Sequence, residues 1–127
     1  MEILRNCGII ADIELIESIS GADQYFEVIF SSKDKTKYKI VLESVWDMRW
    51  SIENASIDRF YQFRKHLPED ITNSNVFIVE NSEYVKYFAN QVSGTRPVVE
   101  LKHYIFHDNV DTTLDVLANK EPMIVKV

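Results

Sequence analysis

Residues 38–52 read YKIVLESVWDMRWSI. Tyr38, Ile40, Leu42, Ser44, Trp46, Met48, Trp50 and Ile52 share one parity, and Lys39, Glu43, Asp47, Arg49 and Ser51 share the other. Successive side chains of a strand point to opposite faces, so a period of two marks a half-buried strand. This run of fifteen residues exceeds the ordinary strand length of about 5–6 residues. Two shapes accommodate it: one long strand bent near Glu43-Ser44, or two strands meeting there at a tight corner. Either shape puts Trp46 and Trp50 on one face, the face expected to be covered.

Upstream, the pattern continues. Phe26, Val28 and Phe30 point one way, with Glu27 and Ser31 opposite. The polar stretch Ser32-Lys33-Asp34-Lys35 separates them from Tyr38, so a hairpin follows. Residues 9–19 carry Ile9, Ala11, Ile13, Leu15 and Ile19 at odd positions. That favours a strand over a helix, whose rival pattern has no clear cap. Gly21-Ala22-Asp23 reads as the turn after it.

Downstream, the period changes. Ile57, Phe60, Phe63 and Leu67 fall at helical spacing, with Asn54 or Ser56 as cap and Pro68 as stop. Val76 to Val79 is a short apolar run, read as a buried strand. A second helix starts at Asn81 or Ser82, with Val85, Phe88, Ala89 and Val92 as its stripe and Gly94 after its end. Val98 to His107, Val110 to Val116 and Met123 to Val127 read as further strands. Strands with segregated helices imply an α+β layer fold. The expected architecture is a curved, mainly antiparallel sheet of about 6–8 strands, strand-rich in its N-terminal half. Two helices, over about 55–67 and 82–93, pack on one face of it.

The 127 residues match the size of one domain. Phe 7, Tyr 6 and Trp 2 make the chain aromatic-rich, which suits pleated, half-buried surfaces. The net charge is −6. An acidic chain lacks the basic face that phosphate neutralisation demands, so no nucleic-acid partner is expected, and a protein partner would be basic. Cys7 is the single cysteine, so a disulfide-stapled secreted domain is excluded. With no signal-like start and no long apolar run, no membrane is expected and the cytoplasm is the default address. Gly8, Gly21 and Gly94 are too scattered for a phosphate-binding loop, and no HExxH or CxxC occurs. No cofactor or metal is expected.

The candidate chemistry sits in His103-Tyr104-Ile105-Phe106-His107-Asp108. His103 and His107 share a strand face but stand too far apart, at about 3.3 Å per residue, to share one metal. The plain alternative is a His103 hydrogen-bonded inside the sheet. Asp12, Glu14, Asp111 and Asp115 lie on the polar phases of their strands and read as solvated. The candidate catalytic groups are therefore His103, His107 and Asp108, and the candidate binding residues are Trp46, Trp50, Tyr84, Tyr87 and Tyr104.

Three functions remain. The first is a non-catalytic interaction module, such as an inhibitor or immunity-type protein covering a basic partner. It requires a contiguous acidic patch with an exposed Tyr or Trp inside it. The second is a ligand-binding or enzymatic domain with a cavity between sheet and helices. The third is a homodimer or larger homo-oligomer, suggested by Tyr25, Ile29, Val41 and Val45 on the supposedly polar phase of neighbouring strands.

Overall fold

A computed structural model describes residues 2–5, 9, 11–52, 75–91 and 101–127. In chain order the elements are β1 (Ile3–Arg5), β2 (Leu15–Ala22), β3 (Tyr25–Ser31), β4 (Lys37–Leu42), β5 (Val45–Ile52), β6 (Val76–Glu80), α1 (Glu83–Gln91), β7 (Lys102–His107), β8 (Thr112–Ala118) and β9 (Met123–Lys126). The expected helix over 55–67, Cys7 and Gly94 lie outside the described residues. The second expected helix is present as α1.

The strands form two sheets rather than one. β1-β6-β7-β8-β5 make a five-stranded sheet and β2-β3-β4-β9 a four-stranded one. Every pairing among the described strands is antiparallel. The sheets meet face to face. Val28, Phe30, Ile40 and Leu42 from one side and Val76, Tyr104, Phe106, Leu114 and Val116 from the other fill a common core, with Ala11 and Ile13 at one end.

The single-sheet expectation fails at Ser44. The 38–52 run is two strands, one in each sheet, and Ser44 turns the corner at φ 53°. That left-handed backbone is uncommon for a residue with a side chain. A second irregularity follows at once: β5 is bulged against β8 between Val45 and Asp47. The corner changes the phase, and the bulge changes it back. Val45, on the odd phase, is buried in the core, and Met48, on the even phase, packs against the same core. Trp46, inside the bulge, turns the other way and meets Phe88 of α1 edge to face, ring centroids 6.4 Å apart. Trp46 and Trp50 therefore do not share a face. Of the residues expected to make an exposed apolar face, Val41 and Val45 are buried, Ile29 is half-buried and Tyr25 is exposed.

A similar phase change occurs in β2. A bulge between Ile16 and Ser18 brings Ile16 and Ile19 against the core and leaves Leu15 exposed. The turn after β2 is Asp23-Gln24, because Ala22 pairs directly with Tyr25. Asp23 takes φ 58°, which Asp tolerates better than most residues. Gly21, still in the strand, has φ 154°, and a Cβ there would run into the Tyr25 carbonyl oxygen and the Phe26 ring. Gly21→Ala is expected to cost about 1–3 kcal/mol, measurable as a lower urea midpoint with unchanged m.

The hairpin between β3 and β4 forms as read. Asp34 accepts hydrogen bonds from the Ser32 hydroxyl and from the Thr36 N–H (3.0 Å). These donors, Ser32 first, hold its carboxyl down to about 2.

The outer face of the five-stranded sheet is also covered. Leu4, Phe77, Val79 and Ile105 form a second buried cluster there. The central strands β6, β7 and β8 thus bury both phases, which in β6 shows as a near-continuous apolar run. α1 lies on this outer side, presenting Tyr84 and Phe88 toward β7 and β5. Among the described residues no helix is long and apolar enough to cross a membrane.

Candidate functional site

β7 and β8 place His103 and Asp115 on the outer face of the five-stranded sheet, two residues out of register along paired strands. The His103 Nε2 lies 2.6 Å from Asp115 Oδ1, and its Nδ1 lies 2.7 Å from Ser82 Oγ. Ser82 follows Asn81, which makes the turn out of β6 at φ 57°, and its Oγ also accepts the Val85 N–H (3.1 Å) as the cap of α1. The result is a Ser82–His103–Asp115 chain.

Its connectivity is that of a nucleophile, a base and an orienting carboxylate. Its surroundings are those of a core. Ser82, His103 and Asp115 are exposed to 5%, 0% and 1%. The Tyr84 ring packs edge-on over the imidazole, centroids 5.2 Å apart. Nucleophilic catalysis needs a reacting atom within about 3 Å of the nucleophile, and the enclosed hydroxyl is already shared between the imidazole and a backbone N–H. In this state the chain fastens the start of α1 to the sheet.

Around this lock the α1 face is polar. The Tyr84 hydroxyl donates to Asp47 Oδ2 (2.7 Å). Burial, and then that hydrogen bond, push the Tyr84 phenol far above its ordinary range, so it remains neutral. The Arg49 guanidinium lies 3.6 Å over the Tyr84 ring, a cation–π arrangement. The Glu2 carboxylate accepts the Glu83 N–H (2.8 Å). Glu2, Arg49, Glu83, Tyr84 and Tyr87 line a groove of about 410 Å³. Tyr87 stands 63% exposed at its edge.

A second groove, of about 510 Å³, opens between the sheets where β2 and β5 form their edges. Ile16, Ile19, Met48, Trp50 and Leu114 give it an apolar lining, with Glu17, Ser18 and Thr112 beside them. Trp50 is 66% exposed there.

The remaining sequence candidates scatter. Asp108 is fully buried, and it works as a loop tie. Its Oδ1 accepts the N–H groups of Val110 (3.0 Å), Asp111 (2.8 Å) and Thr112 (2.8 Å), and its Oδ2 accepts that of Ile16 (3.0 Å). His107 pairs through Nδ1 with Thr113 Oγ1 at 2.7 Å. Tyr104 points into the core between the sheets, which removes it from any binding surface. Trp46 is half-buried against α1, so only Trp50, Tyr84 and Tyr87 of the candidate binding residues border grooves. Among the described residues no three His, Cys, Asp or Glu side chains converge as metal ligands.

Two participants escaped the sequence reading. Asp115 was expected in solvent, yet it is buried. Its strand, TTLDVLA, carries Thr113 and Leu117 on the aspartate's phase, a sign that this face too is covered. A carboxylate on a covered face requires a hydrogen-bonded partner, and His103 is within reach. Ser82 was read only as a helix start.

No protein-family model, no curated protein and no solved structure matches the chain.

Proposed function

We propose that this protein is an interaction module of the inhibitor or immunity type, docking a basic protein partner on its α1 face. One observation carries this reading: Tyr87, 63% exposed, borders a groove that also holds the Glu2 and Glu83 carboxylates. Exposed tyrosine is enriched among interface anchors, and the carboxylates beside it complement a basic partner. Arg49, the cation of the same groove, is drawn back over the Tyr84 ring. Lys86 approaches Glu83 at 3.5 Å with both side chains well exposed, a pairing weak enough for a partner's arginine to replace. The net charge of −6 favours fast encounter with a basic surface.

The support beneath the groove is stiff. The Ser82–His103–Asp115 chain anchors the first turn of α1, and the Tyr84–Asp47 hydrogen bond anchors the next residues. A rigid platform lowers the ordering cost of association.

Affinity capture from the native host, with the bound protein identified by mass spectrometry, tests the reading. A basic protein should be retained. Tyr87→Ala should weaken its binding by about 10–100-fold, and Glu2→Lys with Glu83→Lys should reduce the association rate and its salt dependence. A captured partner whose affinity is indifferent to all three substitutions would refute docking at this face.

A further inference from the structure

Among the described strands, four end the two sheets: β1 and β5 in one, β2 and β9 in the other. Sheet edges invite pairing with other chains, and folded proteins blunt them by shortness, bulges or charge. β1 has three residues and β9 has four. β2 is broken by its bulge, where Glu17 reaches Lys37 at 3.5 Å. β5 differs. Its bulge lies at its start, leaving Asp47 to Ile52 in unbroken register with β8. Its one cation, Arg49, lies over Tyr84 on the α1 side. On the other side Trp50 and Ile52 are 66% and 57% exposed, and Trp50 lines the apolar groove of about 510 Å³. Among the described strands, β5 is the edge that is both regular and unguarded.

We propose that the chain forms a two-fold homodimer in which β5 pairs antiparallel with β5 of a second copy, Trp50 opposite Trp50 at the axis. The residues themselves select this occupant. A two-fold contact requires a self-complementary patch, and directly opposed residues of an antiparallel pair share one face of the sheet. Centring on Trp50 sets Met48 against the second copy's Ile52, and Arg49 against its Ser51. The three apolar side chains then form one stripe that runs over the inter-sheet grooves of both copies. Centring on Arg49 would instead oppose two guanidinium groups, which is unfavourable. A small apolar molecule fills the groove but leaves the backbone edge open. A second strand covers both.

Sedimentation velocity over about 1–100 µM, concentrations at which specific protein contacts of ordinary strength are populated, should show a concentration-dependent dimer. Trp50→Lys, at an exposed position, should leave the circular dichroism unchanged and weaken dimerisation at least about 100-fold. Tyr87→Ala should leave dimerisation unchanged, which separates this surface from the α1 docking face. In a Cys7→Ser background, Trp50→Cys should be joined into a covalent dimer by the thiol oxidant diamide. Opposed Cα atoms stand about 4.5–5.5 Å apart, within disulfide reach. Arg49→Cys, opposite a serine, should link poorly. A monomer throughout the range, a dimer that survives Trp50→Lys, or linkage through Arg49→Cys in preference to Trp50→Cys would each overturn the proposal. So would a monomer whose groove takes up the apolar dye anilinonaphthalene sulfonate, losing the dye with Trp50→Lys, since that assigns the groove to a small ligand.

Discussion

His103→Ala is expected to lower the free energy of unfolding by about 3–5 kcal/mol, because it leaves a buried carboxylate without its hydrogen-bonded partner and a cavity where the imidazole stood. The substitution acts on three groups at once. It takes the 2.6 Å imidazole contact from Asp115, a carboxylate exposed to only 1%. It takes the 2.7 Å contact from Ser82, the residue that caps α1. It also opens a space beneath the Tyr84 ring, which rests on the imidazole. Domains of this size are stable by about 5–15 kcal/mol, so the variant should stand near its unfolding threshold. Ser82→Ala, which keeps the His103–Asp115 contact, should cost only about 1–2 kcal/mol. Urea titrations followed by circular dichroism measure both values. A loss below about 1 kcal/mol for His103→Ala, within the range of a surface change, would show that the chain is not the fastening of α1.

Asp108→Ala should produce a loss of similar size at the opposite end of the sheet, about 4 kcal/mol, because hydrogen bonds to charged acceptors contribute about 1.5–3 kcal/mol each without full additivity. The carboxylate gathers the N–H groups of Val110, Asp111, Thr112 and Ile16. The first three shape the loop from β7 to β8. The fourth belongs to the other sheet and ties the two layers together. Asn109 strengthens the same junction, its N–H approaching the carbonyls of Ile13 (3.2 Å) and Glu14 (3.1 Å) and its side chain reaching Glu14 Oε2 (2.9 Å). Asp108→Asn retains one acceptor oxygen for the loop and presents an amide N–H₂ toward Ile16, so about half the loss is expected. Hydrogen exchange should rise first at the amides of Ile16 and of 110–112, since local opening precedes global unfolding. Unchanged protection at Ile16 in Asp108→Ala would show that the inter-sheet tie is unimportant.

The sequence made the local elements legible and hid their arrangement. Alternation located β3 and β4, and helical spacing located α1, because one covered face imprints its period directly on the chain, while β6 was legible as a short apolar run covered on both faces. The division into two sheets left no such imprint. The corner at Ser44 and the bulge at Trp46 each displace the alternation by one step in opposite senses, so the parity from Tyr38 to Ile52 reads as uninterrupted. For the same reason Trp46 was assigned the face of Trp50. The inner–outer assignment of β2 failed at its bulge, where Leu15 and Ile16 exchange roles. Of the candidate site, the interior hydrogen-bonded alternative for His103 matches its placement. Its partners were not legible, because Asp115 and Ser82 are brought to it by sheet pairing and by the turn at Asn81, and neither contact is local in sequence.

The paired irregularities in the fourth and fifth strands behave like two frameshifts that suppress each other. Loss of one residue at Ser44 alone would invert the downstream strand, sending Arg49 toward the core and Met48 toward the helix. Loss of one residue at Trp46 alone would do the same. Losing both would restore the frame, at the expense of the turn between sheets and of the indole beneath Phe88. Length changes in this stretch are therefore tolerable only in compensating pairs, and descendants of this chain should conserve the spacing between Leu42 and Met48 more strictly than the identity of any residue inside it.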